Sequence, residues 1–545
     1  MFIHKRAGKS AKSIDLININ KLIQQYYLLK PKLKNNNYIK FGTSGYRGSA
    51  SHNSFNEQHV IAITQAIIDI RRNLKYISNT CLVGKDTHAL SNPAFMTVIE
   101  VLIANGINVI TQQKNTFTPT PSISHAILKH NKYYNDKIDG IAVTPSHNPP
   151  EYGGIKYITP YGGPADAITT LAIESRANYL LNNNLLNIKQ IPYNMAIKQR
   201  NFYQHDFIEP YITSLHEVIN MSAIQQAKLK IGIEPLGGAG IDYWKRIAEY
   251  YKLNLTLINE KIDPTFSFIP LDYDGKLRMD CSSSWVMKNA LKLKNKFDLI
   301  LTNDPDYDRY GIITPCGLMN PNHYLAVAID YLFNHRSLWK KNISVGKTIV
   351  TSSIIDRIVD NIGIKLIEMP VGFKWFVNDL YQGKYGIAGE ESAGASFLRF
   401  DGTPWTTDKD GIILCLLAAE ITAVTGQNPQ QYYNHLIHKF GESFYSRMQL
   451  NINYQQKKYF NVLTNKSYFN NKLAGDQIVQ YITHAPGNDV CIDGIKIVTD
   501  YGWCVIRSSG TEDVYKIYCE SFRSKHHLKL METEIIKLLQ QTIIS

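Results

Sequence analysis

The sequence predicts an α/β protein of three or four domains that ends in a separate α+β unit, on three observations. The chain has 545 residues, against about 150 residues per domain. At 44% hydrophobic and 19% charged, its composition is that of globular protein with material for several cores, which excludes wholesale disorder. Short β-rich runs alternate with helical patterns along most of the chain, as in sheets covered by helices.

In the first part Cys81 to Gly84, Ile107 to Thr111 and Gly140 to Thr144 read as strands. Gln58 to Ile70 reads as a helix, because Val60, Ile61, Ile63, Ala66, Ile67 and Ile70 recur at helical spacing. The second part offers strands at Leu229 to Glu234 and Leu299 to Thr302, with a helix at Ile241 to Tyr251. The third offers strands at Thr348 to Thr351 and Leu366 to Met369, then a helix at Gly411 to Val424. Cys491 to Phe522 holds several strand-like pieces, and Leu528 to Ile544 reads as a terminal helix. Joints near 190–205, Pro315 to Asn322 and Phe440 divide the chain into 1–204, 205–318, 319–438 and 439–545. The three α/β blocks share a grammar and are candidate structural repeats.

The 59 basic and 46 acidic side chains leave +13 with His neutral, but the basic residues are dispersed and form no long block. A basic surface that collects small phosphorylated substrates is expected, rather than a nucleic-acid partner. The seven Cys form no CxxC pair and do not resemble a disulfide framework. The N-terminus lacks an apolar targeting core, and the longest apolar run, Ile412 to Ala419, is too short to span a bilayer. A cytoplasmic protein without a membrane partner is expected.

Four loops carry chemistry. Thr144-Pro145-Ser146-His147-Asn148-Pro149-Pro150 follows a strand, and its prolines place Ser146 on a stiff, exposed turn suited to a nucleophile. An ordinary Ser/Pro turn is the alternative. The absence of a G-x-S-x-G elbow argues against a Ser-His-Asp hydrolase, and Lys156, beyond Gly153-Gly154, can return an ammonium to the same site. In Asn303-Asp304-Pro305-Asp306-Tyr307-Asp308-Arg309, three carboxylates at period two can converge, and a hard cation such as Mg²⁺ would offset their repulsion. The same pattern also occurs in solvated loops. Gly389-Glu390-Glu391-Ser392-Ala393-Gly394 offers acceptors for sugar hydroxyls, or is a solvated acidic turn. Arg507-Ser508-Ser509-Gly510-Thr511-Glu512 has the makings of an anion cradle, although it lacks Walker spacing. Together the loops suit phosphoryl transfer to a sugar, a reaction managed by positioning and charge neutralisation.

With Phe41 to Gly48 and Pro370 to Phe376 added, these motifs in this order resemble the α-D-phosphohexomutases over almost the whole chain. The resemblance implies three similar α/β/α domains with mixed sheets and a C-terminal α+β domain of TATA-binding-protein-like topology around one cleft. It implies that Ser146 carries a phosphoryl group and that Asp304, Asp306, Asp308 and a phosphoserine oxygen hold Mg²⁺. The implied reaction interconverts glucose 1-phosphate and glucose 6-phosphate through glucose 1,6-bisphosphate. Arg47, Lys156 and His147 would lie near the transferring group. Glu390, Ser392, Lys374, Gly372 and Arg309 would contact the sugar phosphate, and Arg507, Ser509, Gly510 and Thr511 the phosphate that is not reacting. Glu391 stands where the mannose and glucosamine enzymes usually carry Met or Gln, so glucose is favoured. Ser508 replaces the usual Pro, which would loosen the cradle by up to ~1 kcal/mol. The resemblance leaves a monomer or a homodimer open. A mutase on another hexose phosphate, a phosphatase using Asp304 or Asp306 as nucleophile, and a non-enzymatic scaffold are the competing readings.

Overall fold

The computed structural model describes residues 3–31, 38–74, 77–452, 471–508 and 514–544. Three mixed sheets and one antiparallel sheet organise it, in the α/β class with a C-terminal α+β unit. The first sheet runs Tyr46–Ser49, Tyr152–Ile158, Lys137–Val143, Ile77–Lys85, Asn108–Gln112, Phe202–His205. Its last four strands are parallel, whereas Tyr152–Ile158 is antiparallel to both neighbours. Apolar runs such as Cys81 to Val83 follow from burial on both faces. Ile123 and Ile127 of the helix Thr120–Tyr133 cover one face, and the helices Glu57–Asn73 and Ser91–Ala104 the other.

The second sheet runs Gly317–Leu318, Tyr310–Thr314, Leu299–Asn303, Ile231–Glu234, Leu255–Leu257, and the third Lys365–Met369, Ser344–Thr348, Tyr385–Glu390, Gly394–Phe397. Each repeats the same device, a parallel set whose last strand turns back into an antiparallel strand. The expected strand Thr348 to Thr351 is corrected: the strand is Ser344–Thr348. A turn follows it, because Thr351 N donates to Thr348 O at 2.9 Å and the two hydroxyls are bonded at 2.7 Å. The strand Phe202–His205 completes the first sheet, and the helix Pro429–Phe440 runs past residue 438.

The helix Gly411–Thr425 is apolar on every side because it is wedged between the second and third sheets in one continuous core. Its N-cap Asp410 accepts from Ile412 N and Ile413 N at 3.0 and 3.2 Å, and from Trp405 Nε1 and Tyr211 OH at 2.9 and 2.8 Å. Among the described residues, no single helix is long and apolar enough to cross a membrane.

The fourth sheet runs Phe444–Asn451, Val514–Ser521, Gly502–Ser508, Cys491–Thr499, Asp476–His484, Lys472–Leu473, with Met531, Ile535 and Leu539 of the helix Lys525–Ile544 in its core. It docks on residues 349–353 of the third unit. Trp503, Val505 and Tyr518 pack on Ile349 and Val350. Buried Glu520 accepts from Ser352 Oγ, from Ser353 N at 2.7 Å and from Trp503 Nε1 at 2.8 Å. Replacing Glu520 by Ala strands three donors, each worth roughly 1–3 kcal/mol when buried unsatisfied. Glu520→Ala is therefore expected to lower the thermal midpoint by several degrees and to expose 349–353 to limited proteolysis, whereas Lys384→Ala on the surface leaves both unchanged.

Candidate active site

The turn-back of each mixed sheet carries one of the chemistry-bearing loops. Residues 144–151 join Lys137–Val143 to Tyr152–Ile158, residues 304–309 join Leu299–Asn303 to Tyr310–Thr314, and residues 391–393 join Tyr385–Glu390 to Gly394–Phe397. All three turn through a non-glycine residue in the left-handed region: Ser146 at φ 59°, Tyr307 at 63° and Ala393 at 66°. Such residues cost about 1–3 kcal/mol and persist only where the surroundings impose them.

Ser146 is not on an exposed turn, which corrects the sequence expectation. It is fully buried, because the aspartate loop of the second sheet closes over it. Ser146 Oγ donates to Asp304 Oδ2 at 2.8 Å and lies 3.3 Å from His147 Nδ1. Ser146 N donates to Thr144 Oγ1 at 2.8 Å, which holds the strained backbone.

Asp304, Asp306 and Asp308 are buried, with ligand atoms within 4.8 Å of one another. Two lysines offset their charge. Lys156 Nζ, from the antiparallel strand of the first sheet, reaches Asp306 Oδ2 at 2.5 Å and Asp308 Oδ2 at 2.7 Å. Lys409 Nζ, from the segment before the helix Gly411–Thr425, reaches Asp308 Oδ2 at 3.2 Å. Burial, then Asp306 and Asp308, push the Asp304 carboxyl well above its ordinary range. For Asp308 burial acts in the same sense, but Lys156, Lys409 and Arg309 outweigh it and hold the group well below that range. Burial opposes the charge on Lys156, yet Asp306 and Asp308 raise its pKa, so it is an ammonium. Burial, then Arg309 and Arg47, hold His147 well below its usual value, so its imidazole is neutral near pH 7.

Close packing fixes the aspartate loop. A Cβ on Gly411 would stand 2.1 Å from Arg309 O, and Gly411 N donates to Tyr307 O at 2.9 Å. From the first unit, Thr120 Oγ1 and Thr120 N donate to Asp306 Oδ2 and O at 2.8 and 2.9 Å. Arg309 N donates to Asp304 Oδ1 at 3.0 Å, and Arg309 Nε lies 3.8 Å from Asp308 Oδ1. Arg47 donates to Asn148 Oδ1 at 3.0 Å and to Ser44 Oγ at 3.2 Å, at the mouth of the serine loop.

Glu390 ends its strand, and its carboxylate accepts from Gly372 N at 3.1 Å. Gly372 sits at φ 125°, which a side chain would resist. Burial raises the Glu390 carboxyl to about 7, partly offset by Lys409, so it is able both to donate and to accept near neutrality. Half-buried Lys374 lies toward Asp166 and Glu174 of the first unit, and burial lowers its pKa. Among the described residues, no hydrogen bond or ion pair joins Lys374, Ser392 or Arg507 to the aspartate cluster. Arg507 lies on the strand Gly502–Ser508, and Ser508 is its last rung, opposite Tyr515. Ser509, Gly510 and Thr511 lie outside the described residues. Lys409 and Thr120 were missed in the sequence, where Thr406-Thr407-Asp408-Lys409-Asp410 reads as a polar helix start.

The chain is also similar to known proteins along its length. Family models match at residues 38–183 (phosphoglucomutase/phosphomannomutase, alpha/beta/alpha domain I), 209–317 (domain II), 320–440 (domain III) and 464–538 (C-terminal domain). It is 48% identical over 531 residues to a phosphoglucomutase of Komagataeibacter xylinus, covering 97% of this chain and 96% of that one. Phosphoglucomutase-1 of Oryctolagus cuniculus is 26% identical over 429 residues, 75% of this chain and 73% of its own. The fold matches the open form of Paramecium parafusin with a TM-score of 0.73 at 20% identity, over 94% of this chain and 95% of that one. With a matched domain model in every part of the molecule and a relative this similar across its whole length, the chain belongs to the phosphoglucomutase/phosphomannomutase family.

Proposed function

We propose that the chain is a Mg²⁺-dependent phosphoglucomutase that interconverts α-D-glucose 1-phosphate and D-glucose 6-phosphate through phosphoserine 146 and glucose 1,6-bisphosphate. The observation that carries this reading is the buried contact of Ser146 Oγ with Asp304, set among three carboxylates and two lysines from three units. The K. xylinus relative supports glucose as the sugar.

The donor set fits Mg²⁺. Its oxygens are hard, and Asp306 Oδ1 and Asp308 Oδ1 are buried without a hydrogen-bond partner. Asp304, Asp306 and Asp308 would hold the ion with a phosphoserine oxygen. When bound, it supplies positive charge at the transferring phosphoryl group.

Phosphoserine 146 passes its phosphoryl group to O6 of glucose 1-phosphate. The bisphosphate then presents its other end, returns the 1-phosphoryl group to Ser146 and leaves as glucose 6-phosphate. Lys156, cationic between two carboxylates, neutralises the phosphoryl oxygens and is placed to give a proton to a departing oxygen. Neutral His147, 3.3 Å from Ser146 Oγ, orients that hydroxyl, and Arg47 faces the same group from the first sheet. Glu390 and Ser392 read sugar hydroxyls, with Gly372, Lys374 and Arg309 lining the sugar side. Arg507, Ser509, Gly510 and Thr511 hold the phosphate that is not reacting. The units 1–204, 205–318, 319–438 and 439–545 thus all contribute to the site.

A coupled assay with glucose 1-phosphate, Mg²⁺ and catalytic glucose 1,6-bisphosphate tests the reaction, with glucose 6-phosphate read by its dehydrogenase. Wild type is expected to turn over, and EDTA or Ser146→Ala to abolish turnover. Silence on glucose 1-phosphate with turnover of mannose 1-phosphate would overturn the choice of sugar. Saturating Mg²⁺ is expected to raise the thermal midpoint of wild type but not of Asp306→Asn, since a ligand at a hundredfold its Kd adds about 2.7 kcal/mol. Arg507→Ala is expected to raise KM for glucose 1-phosphate strongly while leaving the Mg²⁺ shift intact; an unchanged KM would remove Arg507 from the phosphate site.

A further inference from the structure

A buried ion pair underlies the serine loop, outside every motif named above. Asp86, 1% exposed, follows the strand Ile77–Lys85. Its Oδ1 accepts from His88 N at 3.0 Å and Ser91 Oγ at 2.5 Å. Its Oδ2 accepts from Thr144 Oγ1 at 2.7 Å and faces His88 Nδ1 at 2.8 Å. His88, 2% exposed, turns its other ring nitrogen to the carbonyl oxygen of Asn148 at 3.0 Å and rests its ring on Phe266 at 5.0 Å.

The donor and acceptor roles follow from chemistry. A carbonyl oxygen only accepts, so Nε2 of His88 carries a proton. A carboxylate among two hydroxyls and a backbone N–H is the acceptor its surroundings are built for, so Nδ1 donates to Asp86 as well. An imidazole that donates from both nitrogens is an imidazolium. Both halves of the pair shift accordingly: burial opposes each charge, but the partner outweighs it, holding Asp86 below and His88 above its ordinary value.

The pair grips both ends of the loop. On one side Asp86 holds Thr144 Oγ1, which accepts from Ser146 N. On the other His88 holds Asn148 O, while the Asn148 side chain holds Arg47. We infer that His88, as an imidazolium paired with Asp86, is a positioning residue that clamps Thr144 and Asn148, and so sets Ser146 Oγ against Asp304 and Arg47 at the loop mouth. The inference rests on Ser146 being the phosphoryl carrier. Its action is indirect, since misplacing a reacting group by about an ångström can cost on the order of 10²-fold in rate.

Two readouts test it. In wild type carrying ¹⁵N-labelled histidine at pH 7.5, where an ordinary imidazole is neutral, one ring is expected with both nitrogens protonated, and its signal is absent from His88→Gln. In the coupled assay His88→Gln is expected to lose on the order of 10²-fold in kcat with KM for glucose 1-phosphate within about twofold, because the sugar- and phosphate-binding loops are untouched. A bare ring nitrogen at His88 overturns the ion pair, and an unchanged kcat overturns the positioning role. The nitrogen signature needs only wild-type protein, so it holds if the variant folds poorly. Full activity in Ser146→Ala would overturn the carrier reading while leaving the ion pair to be judged by its spectrum.

Discussion

Three carboxylates within 4.8 Å of one another, all fully buried, set the terms for the rest of the molecule. Like charges at that spacing repel strongly in a low-dielectric interior, and burial alone would drive them to protonate. Lys156 and Lys409 offset this together with Arg309 of the same loop, and the two lysines come from different units. The aspartate loop of the second unit is therefore stable as drawn only where the first and third units close on it. The aspartate cluster and the joint between three units are one object, and helix Gly411–Thr425, with the Gly411 approach to Arg309 O, packs tightly behind it.

The repetition of the sheets explains how such a cluster can be assembled. In every mixed sheet the strand at one end of the parallel set runs into a short loop and returns antiparallel, and the loop holds one non-glycine residue at positive φ. A parallel strand delivers its C-terminal end to one edge of the sheet, where ligands of α/β proteins bind. Three copies of this device bring a hydroxyl, a carboxylate set and a pair of glutamates to facing edges. What each loop does is then decided by side chains, not by backbone design.

The loops themselves were legible in the sequence because their chemistry is local: Asp-Pro-Asp-Tyr-Asp-Arg states its charge and its turn in six residues. What resisted reading depends on tertiary closure. Ser146 was expected on an exposed turn, and the Pro-bracketed loop is indeed stiff, but no local signal reports that another unit's carboxylate covers it. Lys409 sits in a run that reads as a helix start, and its partner Asp308 is about a hundred residues away in sequence. Asp86 and His88 lie at a strand end with no periodicity to mark them. The strand at Thr348 was displaced for the opposite reason, since apolar Ile349 and Val350 continue its pattern although their burial comes from packing against the fourth unit.

That segment also ties two of the candidate loops to one base. Thr348 Oγ1 donates to Glu391 Oε2 at 3.3 Å, beneath the loop 391–393. Four residues on, Ser352 and Ser353 donate to Glu520 of the sheet whose hairpin carries Arg507. The third and fourth units share buried apolar contacts and a Lys496–Glu368 pair at 2.5 Å across the same boundary. A change in the seating of the fourth sheet must either carry residues 348–353 with it or break buried hydrogen bonds, each costing more than an exposed one. The fourth sheet is thus tied to the third through residues 348–353, while the helix Gly411–Thr425 ties the third to the second. On the proposed reading, residues 348–353 therefore couple the sugar loop, through Glu391, to the sheet that carries Arg507.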